Sequence, residues 1–182
     1  MNTAHDLLTR LFHWTMAFII LYTITAGYAM HFVIDSHPKV FKFLSIMNMS
    51  IATVGSLLFP LRFIWNYLIK KQESTTTLTQ RIVKLAHSMI YFLMFLVFTT
   101  GFLMLTEPFP LFWLVMINNP INNPEVNAFF FMFHRFSCAG LTVLVAVHIA
   151  AALHHHYLLK DTTLVRMLGI PTYSHSNPYN AK

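Results

Sequence analysis

The stretch FFFMFHRFSCAGLTVLVAVHIAAALHHHY, residues 129–157, decides how the rest of the chain is read. It is long and apolar enough to cross a bilayer as a helix, for which about 20 residues suffice. Within it His134 and His148 lie fourteen residues apart, close to four helical turns, so both imidazoles leave one face roughly 21 Å apart along the axis. An ionisable residue inside a membrane is a functional-site hypothesis by default. Two such rings pointing the same way at two depths read as two stacked ligand sites. Membrane helices also use histidine for interhelical hydrogen bonds. Both readings stand until the residues at matching depths are placed.

Composition assigns the class. The 182 residues are 56% hydrophobic and 10% charged, with mean hydropathy +0.57, where a soluble domain carries about 25% charged residues. Four stretches have spanning length, at about 11–33, 43–68, 85–106 and 129–157. They predict an all-α integral membrane protein, a four-helix transmembrane bundle. The alternating short segments of a strand barrel are missing. The first stretch is too long for a signal-peptide core and has no small-residue cleavage site, so it is kept as a mature helix.

Charge then orients the bundle. With an even number of spans both termini share one side, which carries Arg10, Arg62, Lys70, Lys71, Arg81, Lys84, Lys160, Arg166 and Lys182, nine of the twelve basic residues. Lys39, Lys42 and Arg135 fall opposite. The positive-inside rule places both termini in the cytoplasm, in a multi-pass membrane protein. The net charge of +6 and pI near 9.6 follow from that topology and from anionic headgroups, not from nucleic acid, for which no motif is present.

The first outer loop, 34–42, carries Asp35, His37 and Pro38, and the inner loop 70–84, with Glu73 to Thr77, is read as mobile. Residues 107–128 hold four prolines and two Asn-Pro steps, Asn119-Pro120 and Asn123-Pro124, which are turn signals. The same loop contains the apolar run 111–116, which is expected to lie on the membrane surface or to cap the outer end. One domain over 1–168 and a poorly ordered tail, 169–182, complete the organisation.

His13 enters the first helix near Arg10, and His148 lies in the cytoplasmic half of the fourth, so the two occupy similar depths. Two neutral imidazoles from facing helices are the ligation expected of a low-spin b-type haem in a bundle interior. Zinc is the rival, but it takes four ligands, and the chain has one cysteine and few intramembrane carboxylates. Cys138 alone gives no CxxCH attachment and no intrachain disulfide, and reads as a small packing residue beside Ala139 and Gly140.

The residues Arg10-x-x-His13-Trp14, Gly101, His134 and His148 carry a family likeness. So do the terminal His155-His156-Tyr157 and the following Lys160-Asp161-x-Thr163-Leu164-x-Arg166-Met167. With them the chain resembles the prokaryotic cytochrome b561 family over nearly its whole length, up to about Leu168. The resemblance implies two b haems, one near each membrane face, and electron exchange with a quinone. The best-studied branch resembles a superoxide:ubiquinone oxidoreductase. By position, His13 and His148 would bind the cytoplasmic-side haem and His134 one side of the outer haem. The other outer ligand in the family lies fourteen residues before a basic residue matching Arg62, which is Asn48 here. Asparagine is a poor haem ligand, so the outer haem is either absent, five-coordinate or ligated by a neighbour. Met47 and Met49 adjoin the position, each about 100° off its direction, and His37 reaches it only if the outer loop folds back.

Among the remaining histidines, His87 and His155, with His156, are candidates for a quinone or haem-propionate site, against a reading as interfacial histidines bonded to headgroups or water. His154 is read the second way, and His5, His31 and His175 are given no partner. Arg62, Lys70, Lys71, Arg81 and Lys84 are positioned to meet propionates or simply to flank the membrane. No catalytic side chain is singled out. The expected function is electron transfer through b haem to or from quinone. It takes one of two forms: an oxidoreductase drawing electrons from superoxide or another small donor at the outer face, or a relay subunit docked to a dehydrogenase or periplasmic cytochrome through the 111–116 loop. A bundle without haem is the bland alternative.

Overall fold

The computed structural model describes residues 6–69 and 77–170. Lys70, Lys71, residues 73–76, His5, His175, Lys182 and the tail from Pro171 lie outside the described residues. Four helices have the length and hydropathy to cross a membrane: α1 Leu7–Val33, α2 Pro38–Ile64, α3 Leu78–Leu103 and α4 Pro124–Tyr157. A π-helical turn, Trp65–Ile69, continues α2, and a short α5, Thr163–Leu168, follows α4.

Local chemistry explains where each helix begins. Asp6 caps α1 by accepting the Thr9 N–H at 2.9 Å, and Thr77 with Gln80 forms a reciprocal capping box on α3. Pro38 and Pro124 stand at the first helical positions of α2 and α4, where a missing N–H costs nothing. Asn123 adds a cap by accepting the Glu125 and Val126 N–H groups. The second Asn-Pro step, read from sequence as a turn signal, therefore starts a helix. All four helices begin four to seven residues before the apolar stretches do, and α3 ends at Leu103 instead of 106. Hydropathy marks the hydrocarbon-facing run, whereas backbone hydrogen bonding carries the helix on into its polar cap. The first outer loop shrinks accordingly to 34–37, with His37 as the residue before α2.

The apolar run between α3 and α4 forms a small antiparallel hairpin, β1 Phe109–Leu111 with β2 Val115–Ile117, paired Phe109 to Ile117. Its tight turn puts Phe112 and Trp113 at φ 46° and 61°. The hairpin is pinned to α2: Ser50 Oγ accepts the Phe112 N–H at 2.8 Å, and Trp113 stacks on Phe43. This hairpin end faces away from the end that holds α5 and the start of α1.

The bundle consists of two closely packed antiparallel pairs, α1 with α2 and α3 with α4. Its centre is Met16, Ile19, Ile20, Met94 and Leu141. Gly55 sets the α1–α2 spacing, since a Cβ there would lie 2.8 Å from Ile19 Cγ2 and 3.0 Å from Phe98 Cζ. Between lipid-solvated helices the hydrophobic effect supplies little, so such close backbone approach is a main source of cohesion.

Candidate functional site

A seven-residue spacing, nearly two helical turns, recurs on the inner face of every spanning helix. It runs His13, Ile20 and Gly27 on α1; Asn48, Gly55 and Arg62 on α2; His87, Met94 and Gly101 on α3; and His134, Leu141 and His148 on α4. Because the helices alternate in direction, these twelve residues form three levels about 10 Å apart. The first holds His13, Arg62, His87 and His148, the second Ile20, Gly55, Met94 and Leu141, and the third Gly27, Asn48, Gly101 and His134. The middle level is buried throughout, Leu141 to 1% exposure, and is a dry apolar partition between two levels of different chemistry.

At the first level the rings of His13 and His148 lie 6.3 Å apart. An imidazole nitrogen sits about 2.0–2.1 Å from a bound transition metal such as zinc. Two rings sharing one metal along an axis are then roughly 6 Å apart between centres, so the observed separation suits a single metal held between them. His87 approaches His148 edge-on at 5.2 Å, a ring contact that leaves no room for an ion between. Its Nδ1 donates to the Val83 carbonyl at 2.7 Å, which fixes the ring. Among the described residues no group of three or more His, Cys, Asp or Glu side chains converges as a metal site, so His13 and His148 are the two side chains that would hold a metal at this level.

Arg62 binds the first level together. Its Nε donates to Tyr91 Oη at 2.9 Å, its Nη1 to the Phe12 carbonyl at 2.8 Å, and its Nη2 lies 3.3 Å from His13 Nδ1. A guanidinium only donates, so in this contact Nδ1 accepts and the ring proton is on Nε2. Ligation through Nε2 requires that proton to move to Nδ1 and Arg62 to shift off it. Two buried polar atoms at this end, Arg10 Nε and His156 Nδ1, have no hydrogen-bond partner. Such orphans are costly in a dry interior, and both are of the kind that anionic haem propionates would satisfy. The donor set and the ring spacing fit a haem at this level.

Below it, α5 closes the end of the bundle. Trp14 Nε1 donates to the Met167 carbonyl at 3.1 Å. The Arg10 guanidinium occupies the space where a side chain at position 169 would project, and Gly169, at φ +83°, has none. His155 Nδ1 contacts Asp161 Oδ2 at 2.7 Å. The Asp161 carboxyl is held below its ordinary range first by the Thr163 N–H, with His155 adding to the effect.

The third level is sparser. His134 Nδ1 lies 3.1 Å from the Val97 carbonyl and 3.3 Å from Thr100 Oγ1, and its Nε2 is 3.4 Å from Cys138 Sγ. A Cβ on Gly101 would meet the His134 ring at 3.0 Å, and one on Gly27 would meet nothing within 4 Å. Asn48 occupies the level opposite His134, its Oδ1 buried and without a partner.

The structure thus brings His13, Arg62, His87 and His148 together, keeps His134 and Asn48 at the other level, and puts His155 on the end surface with Asp161. Tyr91 and the glycines at 27 and 55 were missed from sequence, and Arg10 and Trp14 were noted there without a role. For the two glycines the signal was present, because the seven-residue register that singles out His134 and His148 runs through all four helices. A search of curated proteins returns no match to this chain. A family model described as prokaryotic cytochrome b561 matches residues 4–169, nearly the whole chain, and with the paired histidines of the first level in place, the protein belongs to that family of membrane b-type cytochromes.

Proposed function

We propose that the protein exchanges electrons between a haem held by His13 and His148 and a quinone dissolved in the bilayer, with the first level and both termini on the cytoplasmic side of the bacterial inner membrane. The observation that carries this reading is the 6.3 Å His13–His148 pair, set between a dry middle level and a charged end. When bound, haem supplies a one-electron couple whose potential depends on its axial ligands and on the polarity around it.

The protein's part is positional and electrostatic. Leu141, Met94 and Ile20 exclude water from the interior side, and Arg62 places a fixed positive charge beside His13. His87, held by Val83, and His155, paired with Asp161, stand where a quinone head or propionates would be met, and offer protons at that face. Complete reduction of a quinone takes two electrons and two protons, hence two one-electron turnovers. Nothing in the side chains of the opposite end favours superoxide as donor: Lys39, Lys42 and Arg135 are offset there by Asp35, Glu107 and Glu125, which gives little attraction for an anion. The relay reading gains from the hairpin tip, where Leu114 is 84% exposed beside exposed Val115 and Met116, an apolar point suited to a protein partner.

The test is stopped-flow reoxidation of the dithionite-reduced protein by a short-chain ubiquinone. His87→Ala and His155→Ala should slow reoxidation while leaving haem content within about twofold of wild type, an effect smaller than the 10–100-fold loss of a strong supporting contact. Reoxidation at wild-type rate in both variants rejects these residues as the quinone side, and no reoxidation of wild type favours the relay subunit.

A further inference from the structure

We propose that a haem at the third level, a reading that rests on the cytochrome function above, is ligated by His134 alone. Its opposite axial position is then open to water or a small diatomic ligand, with the Asn48 amide as that ligand's hydrogen-bonding partner. Four observations converge on this. First, Asn48 shares its face of α2 with Gly55, which packs against Ile19 and Phe98, and with Arg62, which reaches His13, so position 48 looks into the bundle. Second, its Oδ1 is buried without a donor, and a buried carbonyl oxygen is ordinarily paired with protein or an ordered small molecule. Third, His134 is held as a ligating imidazole is held. Its Nδ1–H donates to the Val97 carbonyl, leaving the lone pair on Nε2, where the weakly donating Cys138 thiol is the neighbour. Fourth, Gly101 lets the His134 ring lie directly against α3, and a Cβ on Gly27 of α1 would meet nothing within 4 Å, so α1 leaves space at this depth.

Asparagine cannot replace histidine as the second ligand. Its amide nitrogen has no available lone pair, its oxygen is a weak donor to iron, and the side chain is shorter than histidine, which leaves space for a small molecule between amide and metal. Met49 is turned elsewhere. It lines a cavity of about 480 Å³ at the hairpin end, with Met104, Phe109, Asn127 and Phe131. That cavity gives small molecules an approach to this end of the bundle.

The experiment uses purified protein with its haem, comparing wild type, Asn48→His, Asn48→Leu and His134→Ala. Haem stoichiometry, ferric electron paramagnetic resonance and carbon monoxide difference spectra of the reduced protein are recorded for each. Wild type should hold two haems, one low-spin and one high-spin, and only the high-spin haem should bind carbon monoxide. Asn48→His should abolish carbon monoxide binding and make both haems low-spin. Asn48→Leu should keep carbon monoxide binding but change the ferric high-spin signal, because the amide that holds the bound water is gone. His134→Ala should remove the reactive haem and leave the low-spin one. Two low-spin haems without carbon monoxide binding in wild type, a single haem per chain, or carbon monoxide binding unchanged by Asn48→His would each overturn the open position while leaving the first-level haem standing. A protein with no haem at all would overturn both.

Discussion

Replacing His148 with alanine tests the first level most directly, because two other rings compete for its role. His148 is 6.3 Å from His13 and 5.2 Å from His87. If the metal lies between His13 and His148, His148→Ala deletes one of two axial bonds and opens an apolar gap that water fills poorly. His87 is not expected to take over: its Nε2 is free, but the Nδ1 bond to Val83 holds the ring where it meets His148, with no ring contact to His13 among those of the first level. Loss of a group that merely orients a metal ligand weakens binding by roughly 10–100-fold, so loss of the ligand itself is expected to weaken haem retention by more than about 100-fold. His87→Ala, removing only a neighbour, should stay below that range, with haem content within about twofold of wild type. The assay is haem per polypeptide by pyridine haemochrome after dialysis against a haem acceptor, with the reduced spectrum as a second readout. His13→Ala should match His148→Ala. If His148→Ala keeps its low-spin haem and His87→Ala loses it, the pairing inferred from the 6.3 Å separation is wrong and His87 is the ligand facing His13.

Three further outcomes follow from the packing. Tyr91→Phe removes the hydroxyl that accepts from Arg62 Nε at 2.9 Å. With a partly buried charged donor left short of a partner, it should cost about 1.5 kcal/mol, the lower end for a bond to a charged group, in thermal or denaturant unfolding, and an unchanged midpoint would show that Arg62 repairs the loss elsewhere. Gly55→Leu drives a side chain into Ile19 and Phe98, already 2.8 Å and 3.0 Å from a bare Cβ; overpacking of this kind costs about 1–3 kcal/mol, and a stability equal to wild type would mean that α1 and α2 can separate freely. The docking of α5 should depend on acid. Asp161 has a lowered folded-state value, so its contribution is complete above the ordinary carboxylate value of about 3.9 and is lost as the pH falls through the lower folded one. Fluorescence of Trp14, with Trp65 and Trp113 changed to phenylalanine, reports its contact with Met167. Asp161→Ala at neutral pH should reproduce the low-pH signal, and an acid-insensitive wild type would remove Asp161 from the docking.

Composition and spacing were enough for the membrane class, the four spans and the common depth of His13 and His148, because bilayer thickness demands a run of apolar residues and helical periodicity maps sequence separation onto depth. Asn48 was legible only through the family resemblance, which implies a ligand fourteen positions before Arg62. Helix starts at Pro38 and Pro124 were misread, since a proline stops a helix or begins one depending on whether the preceding residue can cap, and hydropathy does not report that. The hairpin at 109–117 was legible only as an apolar loop, because its register depends on Ser50 and Phe43 of a distant helix. Tertiary structure alone decided that His87 lies against His148 and that Arg62 reaches Phe12, His13 and Tyr91. It also put Arg10 on Gly169. Each of these joins residues on different helices, and a single helix's periodicity sets depth and face without setting which neighbour that face will meet.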